Sequence, residues 1–260
     1  MKREPRPSEL TGTPHFIIIG AQKCGTTSLY NYLVEHPQVI PPHTFKEIHF
    51  FDLNFDQGID WYRSQFHPLA DGQDFLTGEA TPYYLFHPLV PGRLFDNFPR
   101  TKLIVLLRNP VMRAISHYYH EVKLGFEKLP LDVAILAEEN RLEGEVKKMT
   151  SEENYYSFNH QHFTYLARGV YLEQLKHWFT RFHREQFLIL KSELFYQHPD
   201  LFFNQVLEFL ELSPYHLPAY ENYGTGDYPE VAPEIKEKLQ DFFQPHNQAL
   251  SEYLQQDFNW

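Results

Sequence analysis

The segment HFIIIGAQKCGTTSLYNYL, residues 15–33, constrains the fold more than any other part of the chain. His15–Gly20 is a short run rich in β-branched apolar residues that ends in glycine, which predicts a buried strand. Thr26–Glu35 carries Leu29, Tyr30 and Leu33 at helical spacing and stops before Pro37, which predicts a helix. A strand, a glycine-bearing turn and a helix in that order bring backbone N–H groups and the positive end of a helix dipole to one point, where an anion can sit. Gly20 and Gly25 permit the tight turn and a close backbone approach. Thr26, Thr27 and Ser28 put three hydroxyls on the first helical turn, and Lys23 adds a mobile charge at the loop tip. The competing reading is an ordinary strand–turn–helix with a threonine cap. A nucleotide triphosphatase would need lysine directly after the second glycine. Here Thr26 holds that place, and Lys23 lies two residues before Gly25.

The stretch KLIVLLRNPVMRAISHYYH repeats this logic. Leu103–Leu107 predicts a second buried strand, and Asn109-Pro110 an N-cap followed by proline at the first helical position. The helix should run to about Lys123 and stop at Gly125. Arg108 then emerges at the C-terminal strand edge, where open α/β sheets bind ligands, with a planar fork of donors suited to phosphate. Ser116 is near enough in sequence to share one anion with it. Arg113 reads either as a helper or as a solvated helix-face residue. A triphosphatase commonly ends such a strand with an aspartate for Mg²⁺; arginine there points to a metal-free site for a second phosphate. Two anion sites at two strand ends fit a nucleotide phosphorylated on both its 5′ and 3′ positions, such as 3′-phosphoadenosine 5′-phosphosulfate (PAPS).

Further strands are expected at Phe75–Glu79 and Phe187–Leu190, and helices at Asp200–Leu210, Glu234–Phe243 and Asn247–Leu254, the last two divided by Pro245. Strands alternating with helices imply an α/β, P-loop-like three-layer fold with a central, mainly parallel sheet flanked by helices. The charge-rich stretch Glu138–Glu153 reads as a solvated helix and loop near the rim of a site. Residues 15–260 read as one domain behind a charged, proline-rich tail, 1–14, that has no apolar leader core. No stretch is long and apolar enough to span a bilayer. The net charge of -11 disfavours a nucleic-acid partner. One cysteine, Cys24, excludes an internal disulfide and suits a cytoplasmic setting; it reads as a small packed residue. Arg168-Gly169 reads equally as a nucleotide contact or a helix-entry turn. Tyr83, Tyr84, Phe50, Phe51, Tyr155 and Tyr156 are candidates for an acceptor pocket, although aromatics at such density are more often core. Sequence leaves the oligomeric state open.

The chain resembles the PAPS-dependent sulfotransferases. GAQKCGTTS is similar to their 5′-phosphosulfate loop and RNPVMRAIS to their 3′-phosphate motif. KEIHFFD, GIDWYRSQF, GEATPYY and the terminal FFQPHNQALSEYLQQDFNW extend the likeness. They point to the branch with the heparan-sulfate glucosaminyl sulfotransferases and the sulfotransferase domains of cyanobacterial polyketide and olefin synthases. The resemblance implies that Lys23 neutralises the oxygen between phosphate and sulfate. It implies that Gly25, Thr26, Thr27 and Ser28 contact the 5′-phosphate, and Arg108 and Ser116 the 3′-phosphate. It makes Glu47 the general base and His49 a nearby catalytic histidine. The competing readings are a surface carboxylate paired with Lys46 and a structural histidine, one of 15. Asp52 is a weaker candidate for orienting His49. Ala80 stands where heparan-type enzymes carry lysine, and ENYGTGDYPEV is acidic where they are basic.

The expected reaction is metal-free, in-line transfer of a sulfuryl group from PAPS to an acceptor hydroxyl, leaving 3′-phosphoadenosine 5′-phosphate (PAP). The acceptor is a small molecule, a sugar or a β-hydroxyacyl chain on a carrier. Two other readings compete. A nucleotide kinase requires Mg²⁺ and a lysine after Gly25, and a non-catalytic adenine-nucleotide-binding module would dispense with Lys23 and Glu47.

Overall fold

A computed structural model describes residues 12–43, 46–68, 75–152, 154–224 and 228–260. The elements run β1 (Phe16–Gly20), α1 (Thr26–Val34), α2 (Ile59–Arg63), β2 (Gly78–Ala80), α3 (Val90–Asn97), β3 (Lys102–Leu107) and α4 (Pro110–Leu124). There follow α5 (Leu131–Leu142), α6 (Glu145–Ser151), α7 (Phe158–His162), α8 (Tyr171–Phe179), β4 (Phe187–Lys191), α9 (Ser192–Gln197), α10 (Pro199–Leu210) and α11 (Pro233–Leu254). The strands form one parallel sheet in the order β2-β1-β3-β4. The apolar run of β1 is wholly buried, as both faces of a parallel sheet must be. Each of its isoleucines contributes about 1.5–3 kcal/mol by leaving water. The chain places β2 on one side of β1 and then returns to add β3 on the other, so strand order reverses between β1 and β3. That reversal opens a crevice beyond the C-terminal ends of these two strands.

Three expectations are corrected. The strand expected at Phe75–Glu79 is the shorter Gly78–Ala80, because Leu76 turns aside to pair with Val39. The helix expected to break at Pro245 runs unbroken through it as α11. Leu239, Phe243 and Leu250 continue one buried face across the proline, against α4 and α8, and that packing offsets the lost backbone hydrogen bond. The solvated stretch is two helices, α5 and α6, with two buried carboxylates. Glu138 accepts the Leu166 and Ala167 N–H groups at 2.7 and 2.8 Å, and Glu145 accepts the hydroxyls of Tyr155 and Ser157. Glu153 and tail residues 1–11 lie outside the described residues; Gly12 and Pro14 are buried, and the Pro14 carbonyl accepts the Thr101 hydroxyl.

Candidate active site

The crevice holds a cavity of about 690 Å³, within the usual range for small-molecule sites. Lys23, Gly25, Thr26, Thr27, Ser28, Glu47, His49, Arg108 and Ser116 all line it. The segment between β1 and α1 turns at Gly25, which holds φ 96° as the N-cap of α1; a Cβ there would fall 2.8 Å from the Tyr196 hydroxyl. Glycine is therefore required by both conformation and space. No side chain caps α1, so the N–H groups of its first turn remain open toward the cavity. The N-terminus of α4 differs: Asn109 accepts the Val111 and Met112 N–H groups at 3.0 and 3.3 Å. The uncapped helix is the one that carries the three-hydroxyl loop.

The two strand ends form one site. Arg108 Nη1 donates to the Lys23 carbonyl at 3.2 Å, and the Tyr171 hydroxyl fixes the Arg108 carbonyl at 2.8 Å. Burial, reinforced by the Arg108 charge, draws the Lys23 amine below the usual lysine range. The Ser28 hydroxyl receives the Tyr223 N–H at 3.1 Å, tying the loop after α10 to α1. Arg113 neither lines the cavity nor faces solvent. It is completely buried and donates to the Tyr165 carbonyl at 2.5 Å, so it is a structural clamp and both earlier readings of it are corrected. Cys24 is buried and its thiol is pushed up to about 11 by desolvation, consistent with a packed residue.

Glu47, His49 and Asp52 form a linear array. His49 Nε2 lies 3.1 Å from Glu47 Oε2, and His49 Nδ1 lies 2.8 Å from Asp52 Oδ2. Asp52 is fully buried, whereas a third of the Glu47 side chain is exposed to the cavity. Burial alone would lower the His49 pKa, but hydrogen bonds to Asp52 and Glu47 overcome it and raise it to about 10. The ring is thus a cation donating from both nitrogens. Burial raises the Glu47 carboxyl, yet His49 and Lys46 outweigh it and hold it below its ordinary value. Lys23 and His49 both adopt left-handed backbone, φ 69° and 53°, which is uncommon outside glycine and concentrates at functional sites. The array is held from behind: the Tyr84 hydroxyl accepts the Phe50 N–H at 2.9 Å and donates to buried Glu79, as does the Thr81 hydroxyl at 2.6 Å.

Several cavity residues make contacts that the sequence did not show. Lys46, taken only as a partner for Glu47, donates to Thr27 Oγ1 at 2.9 Å and to Glu47 Oε1 at 3.3 Å, bridging the loop and the carboxylate. Arg168, which the sequence left open between a nucleotide contact and a helix-entry turn, lines the cavity and is buried, and among the described residues no carboxylate pairs with it. It donates to Gln22 Oε1 and to the His160 and Gln161 carbonyls, stacks 4.9 Å above the Tyr83 ring, and leaves Nε unpartnered. Burial draws it down to about 10, still a cation. Glu121 also lines the cavity; its partner His117 lies one turn back on α4, a spacing the sequence shows, whereas His162 comes from 41 residues away. Of the aromatic candidates, Tyr83 lines the cavity. Tyr84, Phe50 and Phe51 are core, and Tyr155 and Tyr156 line a smaller cavity behind Asp52.

Fold and site together define a P-loop-like α/β protein that gathers cations, hydroxyls and a carboxylate at the switch point of its sheet. The chain belongs to the sulfotransferase family: the sulfotransferase domain matches residues 13–223. The crystal structure of a sulfotransferase from Alicyclobacillus acidocaldarius superposes with a TM-score of 0.76 at 30% identity, over 94% of this chain and 96% of that one. The chain is 28% identical to the membrane-associated sulfotransferase kil1 of Dictyostelium discoideum, over 98% of its own length and 68% of that protein. It is 30% identical to the heparan sulfate glucosamine 3-O-sulfotransferase 3B1 of Homo sapiens, over 95% of its own length. Of that relative it spans 65%, slightly under two thirds. Family membership fits sulfuryl transfer better than the kinase reading. Among the described residues no helix is long and apolar enough to cross a membrane.

Proposed function

We propose that the protein transfers a sulfuryl group from PAPS to an acceptor hydroxyl. The observation that carries this reading is the convergence of both anion motifs and the Glu47–His49 pair on one cavity. The open N-terminus of α1, with Lys23, Thr26, Thr27 and Ser28, holds the 5′-phosphosulfate; Arg108 and Ser116 hold the 3′-phosphate. Glu47 takes the acceptor proton as the acceptor oxygen bonds to sulfur and the bond from sulfur to the bridging oxygen breaks. The electron pair stays on the 5′-phosphate of PAP, where Lys23, with Lys46 beside it, meets the developing charge. The roles of Glu47 and His49 separate. A histidine raised to about 10 between two carboxylates is no base at neutral pH; it orients Glu47 and stabilises it as an anion. A cytoplasmic setting is part of the proposal, on the strength of the single, buried thiol. So is a single domain over residues 15–260.

Calorimetry with PAP in metal-free buffer, beside ATP with Mg²⁺, tests the donor site on wild type and Arg108→Ala. Tight PAP binding, weak ATP binding and a loss of at least about tenfold in the variant are expected, the scale of a charge-assisted contact. A preference for Mg-ATP would end the reading.

A further inference from the structure

The wall facing the phosphate loop has a chemistry of its own. On the reading above, we propose that the acceptor is an uncharged alcohol or phenol carried on an apolar body, which lies on a ledge formed by Leu124, Phe126, Tyr156 and Phe158. These side chains are between 39% and 49% exposed. The three aromatic ones are also joined through His162 and Gln161. Phe126 meets Phe158 edge-on at 5.2 Å, and the two rings lie 4.6 and 4.3 Å from the ring of His162. The Tyr156 hydroxyl donates to Gln161 Oε1 at 2.6 Å. Leu124, Gln161 and His162 line the catalytic cavity, so the ledge continues its acceptor side. Isolated exposed apolar residues are ordinary; a joined group running into a cavity marks a surface that binds.

Charge on the same wall builds no site for an anionic acceptor: its carboxylate is buried and its lysines are solvated. Glu121 lines the cavity, and its carboxyl lies 2.9 Å from His162 Nδ1 and 3.2 Å from His117 Nε2. Burial would raise its pKa, but these two partners bring it down to about 2, so it stays ionised. His117 is driven far below its usual range by its own burial and adds no charge to cancel it. Two exposed cations stand at this end of α4: Lys123, and Lys128, whose ammonium lies 3.9 Å from where a Cβ on Gly125 would fall. The strong cations, Lys23, Lys46, Arg108 and Arg168, stand with the phosphate loop, where the donor's own anions meet them. A sulfated or carboxylated sugar chain would lie against a greasy shelf edged only by solvated lysines, while an aryl or alkyl alcohol meets a surface like itself.

The test compares initial rates of PAP release at saturating PAPS for 2-naphthol, 1-octanol and an N-sulfated glucosamine disaccharide. It uses wild type, Leu124→Lys, Phe158→Lys and the conservative Phe158→Leu. Wild type should favour naphthol or octanol over the sulfated disaccharide by at least about tenfold in kcat/KM; the first two acceptors separate an aryl from an alkyl body. Each lysine variant should raise KM for the favoured acceptor about tenfold, the scale of a lost apolar contact. It should also narrow or reverse the preference; Phe158→Lys, at a position outside the cavity lining, should leave PAP affinity unchanged, and Phe158→Leu should stay close to wild type. A wild-type preference for the sulfated sugar, or lysine variants with unmoved KM, would overturn the inference while PAP binding leaves the donor reading intact. Failure of wild type to bind PAP would remove the donor reading and this inference together.

Discussion

At the scale of single residues, the chemistry turns on which group of the Glu47–His49–Asp52 array carries the proton. A histidine with a free ring nitrogen and a pKa near 6.5 would accept one. His49 has no free nitrogen, and two carboxylates hold it as a cation up to about pH 10. Its charge keeps Glu47 ionised despite burial, at the tip of a chain anchored on an aspartate no solvent reaches. Asp52→Asn removes one of the two carboxylates, so the His49 pKa should fall toward neutrality. Where His49 then loses its proton, Glu47 loses the charge that steadies it. The variant should therefore acquire a falling limb in kcat between about pH 7 and 9 that wild type lacks, alongside about a tenfold loss at neutral pH, less than the ~10²–10⁴-fold loss of a whole general base. A profile parallel to wild type would mean that Asp52 acts on packing alone. Glu47→Gln should cost the full ~10²–10⁴-fold at every pH while PAP still binds.

At the scale of elements, two helices begin at neighbouring strand ends and are finished differently. Asn109 caps α4 with its own side chain, whereas α1 starts at Gly25 with its first turn unsatisfied. The first arrangement stabilises a scaffold and the second leaves donors for a ligand. Asn109→Ala should lower the unfolding free energy by about 1 kcal/mol, read by urea denaturation, with PAP affinity changed less than about threefold. A large loss of affinity at unchanged stability would make Asn109 a ligand contact instead. This contrast also explains what could be read from the chain. The phosphate loop, Arg108 and Asn109-Pro110 lie within one strand–turn–helix each, so spacing alone places them. Lys46 reaches Thr27 from 19 residues away, Arg168 reaches Gln22 from 146, and His162 reaches Glu121 from 41. No local pattern marks such contacts; they exist only after the sheet has closed. Pro245 misled for the opposite reason: its local preference is real, but the packing of Phe243 and Leu250 overrides it.

At the scale of the whole molecule, the buried titratable groups set a stability optimum close to neutrality. His87, His117 and His160 are all held well below the usual histidine range, primarily by burial, and His87 and His160 fall to about 2 and 3. As pH drops below about 6.5 the unfolded chain protonates these three and the native chain does not. The unfolded state then binds more protons, and stability falls with acid. Glu79 works against them. Burial lifts it to about 7, so between about pH 4.5 and 7 the native state holds a proton that the unfolded state has lost. These three protons against one leave a net of about two, a slope of about 2.7 kcal/mol per pH unit between about pH 6 and 5, and His15 and His120, which burial also lowers, add to it in the same direction. Relief of the net charge of -11 on acidification softens this, though salt at physiological strength screens charges beyond ~8 Å. Above pH 6.5 the sign reverses. His49 keeps its proton to about pH 10 in the native state and loses it at about 6.5 in the unfolded one. Its contribution is complete below pH 6.5 and is lost at about 1.4 kcal/mol per unit as pH rises toward 10. Urea midpoints at pH 5, 6.5 and 8.5 should peak at the middle value, and Asp52→Asn should flatten the alkaline side alone. Midpoints that climb steadily to pH 8.5 would show that His49 is not held as a cation. The resting state proposed for the active site would fall with that assignment.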